Sequence, residues 1–132
     1  MREILFKGKR IDNGEWVYGN YAFCDCYTKQ KHYIFQNKPL EYAVDENTIC
    51  QYTGLTDKNG NKIWENDIVK HYNNPNEPSR YVIGAIYWNE DNVRYERTSE
   101  YQHCKFSVLY DCVYEVIGNI FDNHELLEGG AE

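Results

Sequence analysis

The sequence predicts a mainly β protein, with short N-terminal hairpins followed by a small, strongly bent sheet. Three observations carry this prediction. The 132 residues include thirteen tyrosines, which suit half-buried strands because the ring packs inward while the hydroxyl reaches the edge. Residues 80–88 are β-branched or aromatic almost throughout, as in a strand. Residues 50–69 follow a strand, turn, strand pattern around the pair Asn59-Gly60.

Residues 1–50 are predicted to form two hairpins. Strands at 4–11 and 15–23 flank an Asp-Asn-Gly turn. Gly19, in the second strand, predicts a bend or the close approach of another backbone. A short strand at 32–35 and an edge strand at 40–44 complete this part, and the polar residues at 45–48 offer side chains that cap a helix or form a turn.

Residues 51–127 are predicted to form the bent sheet or a barrel of the Src-homology-3 type. The barrel alternative is an analogy, based on the order of a turn, a long strand, a tight hairpin and a short final strand. Asn59-Gly60 predicts a type I′ hairpin, and Gly84 predicts a bulge or a barrel corner. The strands are expected at 62–65, 68–72, 80–88, 93–97, 106–112 and 114–121.

The connections of this second part are predicted from their polar composition. Residues 73–79 should form an exposed loop, and residues 98–105 fit a loop or an irregular turn. A short helical turn is expected at 124–127, after a capping Asp-Asn pair. Residues 128–132 are expected to be a disordered tail. The whole chain, residues 1–132, is predicted to be a single domain.

The charge of the chain narrows the functional classes. A formal charge of −7 opposes sequence-independent attraction to the phosphate backbone of a nucleic acid. A nucleic-acid binder is therefore the alternative hypothesis, and it requires the basic residues to converge on one face. Those residues form two small clusters, Lys7, Lys9 and Arg10 in one and Lys29, Lys31 and His32 in the other.

No apolar run is typical of a signal peptide or a membrane span. We therefore expect a cytoplasmic protein without membrane association. Five cysteines are an odd number for a chain without an export signal, so we expect reduced thiols and no disulfide framework. The cysteines are Cys24, Cys26, Cys50, Cys104 and Cys112.

The most metal-like group is Cys24-x-Cys26, which could join a histidine elsewhere in the chain. A structural zinc site usually has two paired ligand hooks, and here only one is present. Its spacing places both thiols on the same face of a strand. Partly buried reduced cysteines are the better interpretation, and we predict no metal and no cofactor. The candidate partners would have been His32, His71 and the pair His103-Cys104.

Four carboxylates near the turns suggest a site for a divalent ion or for acid-base catalysis. They are Asp57, Glu65, Asp67 and Asp91. In turn sequences such as Thr-Asp-Lys-Asn-Gly and Glu-Asn-Asp-Ile-Val, however, such side chains most often bond local backbone amides. The phosphate-loop, zinc-protease and serine-hydrolase signatures do not occur in the sequence. We therefore predict no catalytic residues and no enzymatic activity.

Several segments together share the motifs of one protein family. A basic and aromatic strand at 6–10 precedes Trp-Val-Tyr-Gly at 16–19. Thr48 and the run Gln-Tyr-Thr-Gly-Leu-Thr-Asp-Lys-Asn-Gly at 51–60 lead into Ile-Trp-Glu-Asn-Asp-Ile-Val at 63–69. Val-Ile-Gly-Asn-Ile at 116–120 and Asn-His-Glu-Leu-Leu at 123–127 close the pattern. On these motifs the chain resembles the YopX family of phage and prophage proteins over nearly its whole length.

Two positions depart from the family pattern. Asn66 stands where the family has glycine, which a turn tolerates because asparagine also enters the left-handed region. His124 stands where the family has proline, and this should loosen the terminal turn.

The resemblance implies a protein of a phage or prophage that acts in the cytoplasm of a bacterial host cell, and it carries over no catalytic residues. The function that we expect is that of a non-enzymatic accessory protein that binds another protein through its β edges and aromatic faces. Aromatic-rich edge strands also favour a homo-oligomer over a monomer. Binding is expected at the aromatic edges or at loop 73–79, and not at the turn motif at 50–69.

Overall fold

The computed structural model describes residues 4–25, 29–72, 76–90, 94–98, 104–105 and 114–128. These residues form eleven strands, a single turn of 3-10 helix and one short α-helix. The strands belong to two antiparallel sheets, which confirms the mainly β prediction. The chain divides into two compact units, Met1–Tyr52 and Thr53–Glu132. The assignment of the whole chain to one domain stays a prediction.

The N-terminal unit is built from the two predicted hairpins. Its strands follow the order β4-β3-β2-β1, and β1 also pairs with the beginning of β5. The 3-10 helix Glu46–Thr48 begins at Asp45, whose carboxylate accepts from the amide of Asn47, as the polar composition predicted. The strands are β1 Phe6–Lys9, β2 Trp16–Phe23, β3 His32–Phe35, β4 Tyr42–Ala43 and β5 Cys50–Thr56.

The close approach predicted at Gly19 is confirmed. Gly19 has a φ of +157°, and a Cβ atom at this position would collide with the backbone carbonyl oxygen of Phe35. Strand β3 therefore lies too near β2 for any side chain at this point.

The end of β4 is tied back to the end of β1. An isolated bridge joins Arg10 to Val44, and the amide of Ile11 donates to the carbonyl of Ala43 at 3.0 Å. On its other side β4 pairs with β3. Gly8 makes the approach possible, because a Cβ at Gly8 would lie only 3.1 Å from Cβ of Val44. The core of the unit, including Ile34 and Val44, is buried inside this arrangement.

The C-terminal unit contains the end of β5 and the remaining strands. Five of them form a sheet in the order β10-β9-β8-β7-β11. The hydrophobic core of this unit contains Ile63, Val69, Tyr72, Ile86 and Tyr114. The elements are β6 Lys62–Trp64, β7 Asp67–Tyr72, β8 Tyr81–Asn89, β9 Arg94–Arg97, β10 Cys104–Lys105, β11 Tyr114–Asn119 and the helix α1 Glu125–Glu128.

Of the two alternatives for this unit, the described residues form a bent open sheet and no closed barrel. The outer edge of β11 is occupied by a turn, because the amide of Lys58 donates to the carbonyl of Tyr114 at 3.0 Å. The pairing of β11 with β7 shifts register between Val116 and Gly118, an irregularity of the kind that bends a strand. At Gly84 the pairing of β7 with β8 is regular. Gly84 instead admits the end of β9, since a Cβ there would collide with the carbonyl of Thr98.

Two local predictions in this unit are wrong. The turn after β5 is not a type I′ pair, because Gly60 has positive φ whereas Asn59 does not. The turn is longer, from Asp57 to Asn61, and Asp57 stabilises it. Residues 104–105 were expected in a loop but form β10, which pairs with β9.

Three further local predictions are confirmed where the structure describes the chain. Asn66 takes a φ of +70°, as a residue at a glycine position should. Residues 76–79 are exposed. The helical turn begins one residue after the predicted position. Glu128 was expected in the disordered tail but is the last residue of α1. Outside the described residues lie 73–75, Val93, residues 99–103, the strand predicted at 106–112 and the tail from 129 onward. No helix in the described part of the chain has the length and apolar character needed to cross a bilayer.

Candidate functional site

A cleft of about 600 Å³ opens in the N-terminal unit, where β1 ends, β3 begins and β4 leads into the 3-10 helix. We call it the N-terminal cleft. The bridge between Arg10 and Val44 positions these chain segments beside one another. Its lining is strongly charged, because both predicted basic clusters contribute to it: Lys9 and Arg10 from the first, and Lys29, Lys31 and His32 from the second.

Lys7 is the one member of the basic clusters that does not line this cleft. Its side chain is buried, and its Nζ lies 4.4 Å from the ring centroid of Trp16. This is a cation–π distance. Lys9 approaches the same ring, at 5.4 Å. The Trp-Val-Tyr-Gly motif therefore supplies an aromatic surface on which the lysines of β1 pack.

Arg10 forms a two-point ion pair in the wall of the cleft. Its Nε and Nη2 donate to the two carboxylate oxygens of Asp12, at 2.9 and 2.6 Å. Its guanidinium also lies 5.0 Å from the ring centroid of Tyr42. The hydrogen bonds from Arg10 lower the pKa of the Asp12 carboxyl below its usual value. Arg10 therefore shapes the cleft but already has a counter-charge.

Lys29 and Lys31 are the accessible cations of the cleft. Lys29 is exposed and forms no ion pair with any residue in the described part of the chain. Lys31 donates from Nζ to a carboxylate oxygen of Asp25 at 2.6 Å, and the side chains of Lys31 and Asp25 are 41% and 76% exposed.

Acidic groups line the same cleft. The carboxylate of Asp45 accepts from the amide of Asn47 at 3.0 Å and is used for capping. Glu46 reaches into solvent, with 66% of its side chain exposed. His32 lies between Glu46 and β2: its Nδ1 is 2.7 Å from the hydroxyl of Tyr21, and its Nε2 is 3.5 Å from the carboxylate of Glu46. The cleft thus presents both signs of charge.

A second cleft of about 230 Å³ shares Arg10, Ile11 and Gln30 with the first. Its other lining residues include Glu41 and Tyr42. The two clefts therefore adjoin on the same surface of the N-terminal unit, and Ile11 is an exposed apolar side chain between them.

The residues considered for a metal site are not brought together in the described part of the chain. Cys24 is disulfide-bonded, so the prediction of reduced thiols is wrong at this position. His32 is held by Tyr21, and His71 stacks on Tyr114 in the C-terminal unit with ring centroids 4.5 Å apart. Cys50 is a buried, reduced cysteine whose thiol donates to the carbonyl oxygen of Thr48 at 3.2 Å. No three described His, Cys, Asp or Glu side chains are grouped as a metal ion requires; Cys26 and His103 lie outside the described residues.

Two carboxylates of the turn motif, Asp57 and Asp67, bond backbone amides as predicted. Oδ1 of Asp57 accepts from the amides of Asn59 and Asn61 at 2.9 and 2.8 Å. Its Oδ2 accepts from the amide of Val116 at 2.9 Å. Burial would raise the pKa of Asp57, but the bonds from Val116, Asn61 and Asn59 favour the charged form and hold the pKa below its usual value.

Asp67 has the same function at the next turn. Its Oδ2 accepts from the amide of Trp64 at 2.8 Å. Neither Asp57 nor Asp67 is therefore free to act as a metal ligand or a general base. Asp91 lies outside the described residues.

Sequence reasoning missed a set of buried polar side chains in the C-terminal unit. Nothing in the sequence indicated that charged residues of β9 are buried, yet Glu96 is 2% and Arg97 3% exposed. Glu96 accepts from Tyr87 and Arg94 at 2.8 and 2.7 Å. Among the residues that the structure describes, Nε of Arg97 and Nδ1 of His71 have no hydrogen-bond partner. Burial, and to a smaller extent the charge of Arg97, lower the pKa of His71 to about 4.

Comparison with known proteins identifies a protein family and similar solved structures. The model of the family described as YopX protein matches residues 6–128. The crystal structure of protein EF1440 from Enterococcus faecalis is similar over 96% of this chain and 99% of that chain, with a TM-score of 0.62 and 25% sequence identity. No curated protein matches the chain.

Proposed function

Because the chain belongs to the YopX family, we propose that it is a non-enzymatic accessory protein of a phage or prophage that binds another protein in the cytoplasm of the bacterial host. The N-terminal cleft is the observation that carries this proposal. It combines a concave surface, charges of both signs and an exposed apolar side chain at Ile11. Protein interfaces commonly have a polar, charged rim around apolar contacts.

The chemistry of the remaining candidate residues supports a role without catalysis. The carboxylates of Asp57 and Asp67 accept hydrogen bonds from backbone amides, and Arg10 forms an ion pair with Asp12. Covalent catalysis requires a nucleophile beside a base that a third group orients. These described side chains do not form such an arrangement.

Affinity capture from infected host cells tests the proposal. The wild-type protein should recover one stoichiometric host or phage protein that survives nuclease treatment. Charge reversal of Lys29 and Lys31 to glutamate should abolish this recovery. Lys38→Glu is the matched control, because Lys38 is an exposed lysine of the same unit that lines neither cleft. Failure to recover any protein would contradict the proposal.

Nucleic-acid binding is the second candidate, and one observation favours it: both basic clusters meet in the N-terminal cleft. This is the convergence that the hypothesis requires. The formal charge of −7 and the acidic side chains in the cleft oppose it. Nuclease-sensitive material in place of a captured protein would favour this second candidate.

Self-association is proposed as a further property of the N-terminal unit. Several large apolar side chains are exposed on it, including Ile4, Tyr18 and Phe23. Sedimentation velocity measures the oligomeric state directly. A monomer at high protein concentration would contradict this expectation, whereas a dimer that Phe23→Ser dissociates would support it.

A further inference from the structure

We propose that the partner segment presents an acidic group and a basic group together, with the acidic group facing Lys29 and Lys31 and the basic group facing Glu46. This inference rests on the proposed function, because it specifies the chemistry of the protein segment that the N-terminal cleft binds.

Lys29 and Lys31 are the cations that a ligand can reach. Lys29 has no counter-charge among the described residues and is exposed. The partner of Lys31, Asp25, has a side chain that is 76% exposed. Exposed ion pairs contribute little to stability, so a carboxylate of a partner can replace Asp25 at small cost. Arg10, in contrast, donates to both oxygens of Asp12 and is not available in this way.

Glu46 is the acidic group that a ligand can reach. It is largely exposed, and its carboxylate lies 3.5 Å from Nε2 of His32, which is longer than a strong hydrogen bond. His32 is itself positioned by the hydroxyl of Tyr21. A cationic side chain of a partner could approach Glu46 without breaking a contact that stabilises the fold.

The mixed lining discriminates between ligands of different charge pattern. A polyphosphate would gain from Lys29 and Lys31, but it would place further negative charge near Asp45 and Glu46. Like charges brought together at an interface oppose binding and so provide specificity. A protein segment with both an acidic and a basic side chain satisfies both sets of groups, and no run of phosphates can do so.

Fluorescence anisotropy with four labelled probes tests this inference on the full-length protein. Three are short synthetic peptides on one Gly/Ser framework, carrying only Asp, only Lys, or both residue types, and the fourth is single-stranded oligothymidine. Measurements at low ionic strength preserve the contribution of surface charges. The peptide with both residue types is expected to bind most tightly.

Variants assign the binding to the named groups. Lys29→Glu together with Lys31→Glu should weaken the mixed peptide and the Asp peptide. Glu46→Gln should weaken the mixed peptide about three-fold, as expected for one exposed ion pair, and leave the Asp peptide unchanged or bound more tightly. Lys38→Glu and Glu77→Gln, two exposed charges outside the cleft, should change neither.

Two results would overturn the inference. One is tighter binding of oligothymidine than of any peptide, with a further gain in Glu46→Gln. The other is equal binding of all probes by the wild type and the cleft variants. If a protein captured from cells binds Glu46→Gln and the Lys29 and Lys31 variant as tightly as it binds the wild type, the inference fails, whereas the proposal of protein binding stands. If no protein is captured, the proposed function itself fails.

Discussion

Replacing Asp57 by alanine is expected to destabilise the protein by about 3 kcal/mol. The carboxylate accepts hydrogen bonds from three backbone amides, and the one from Val116 links the turn to the last strand of the sheet. Asn59 and Asn61 lie in an exposed turn, so their amides can bond water once the carboxylate is gone. Their loss should cost about 0.5 kcal/mol each.

The amide of Val116 contributes most of the expected effect. Val116 is half-buried, unlike the exposed Asn59 and Asn61, and without Asp57 its amide loses its acceptor, which costs about 2 kcal/mol. Urea denaturation followed by circular dichroism measures the change. Asn59→Ala is the matched control in the same turn, because the side chain of Asn59 is exposed and its φ is not positive. It should change the stability by less than about 0.5 kcal/mol.

Acid titration provides an independent test of the same carboxylate. The pKa of Asp57 is lower in the folded state than in the unfolded chain. Its contribution to stability is therefore fully present above about pH 4 and is lost as the pH falls through the lower folded pKa. Asp57→Asn cannot titrate and should lack this component. Equal urea midpoints for Asp57→Ala and Asn59→Ala, or an unchanged acid profile in Asp57→Asn, would refute the reasoning.

Three further predictions concern buried or crowded positions. As the pH falls from about 7 to about 4, His71 should cost the wild type about 1.5 kcal/mol of stability, because the unfolded histidine binds its proton near 6.5 and the folded one only near 4. This value is half the full amount, since the ring is half-buried. The variant His71→Phe should lack this loss. Urea titrations at both pH values test it, and a profile equal to the wild type would contradict it. Arg97→Met should leave the stability unchanged or raise it by about 1 kcal/mol, because the buried guanidinium has no carboxylate among the described residues; a loss above about 2 kcal/mol in urea would show that the charge is needed. Gly19→Ala should cost about 2 kcal/mol or more, because its Cβ would collide with the carbonyl of Phe35; an unchanged thermal midpoint would exclude that clash.

Features that depend on neighbours in the sequence could be predicted. The strand at His32–Phe35 was placed at its observed bounds, and the use of Asp57 and Asp67 as turn acceptors follows from short-range geometry. The type I′ turn was wrong for a physical reason. Asp57 supplies a side-chain acceptor for two amides, and this stabilises a longer turn that needs positive φ only at Gly60.

Features that depend on distant residues could not be predicted. Lys9 and Lys29 line one cleft only because Arg10 pairs with Val44, and no local pattern identifies that bridge. The burial of Arg97 could not be predicted either. Alternation along β9 shows which residues share a face of the strand, but it does not show which face is covered by other elements. Gly84 was a partial signal: the absence of a side chain there leaves room for β9.

The bridge between Arg10 and Val44 also bears on aggregation. Unpaired strand edges invite other chains to add a strand, which is a common route to fibrils. In the described strands of the N-terminal unit, β4 has β3 on one side and the end of β1 on the other, while β1 lies between β2 and β5. A short, tyrosine-rich unit of this kind therefore offers few backbone groups for cross-chain growth, and cutting the link between its first and fourth strands would expose them.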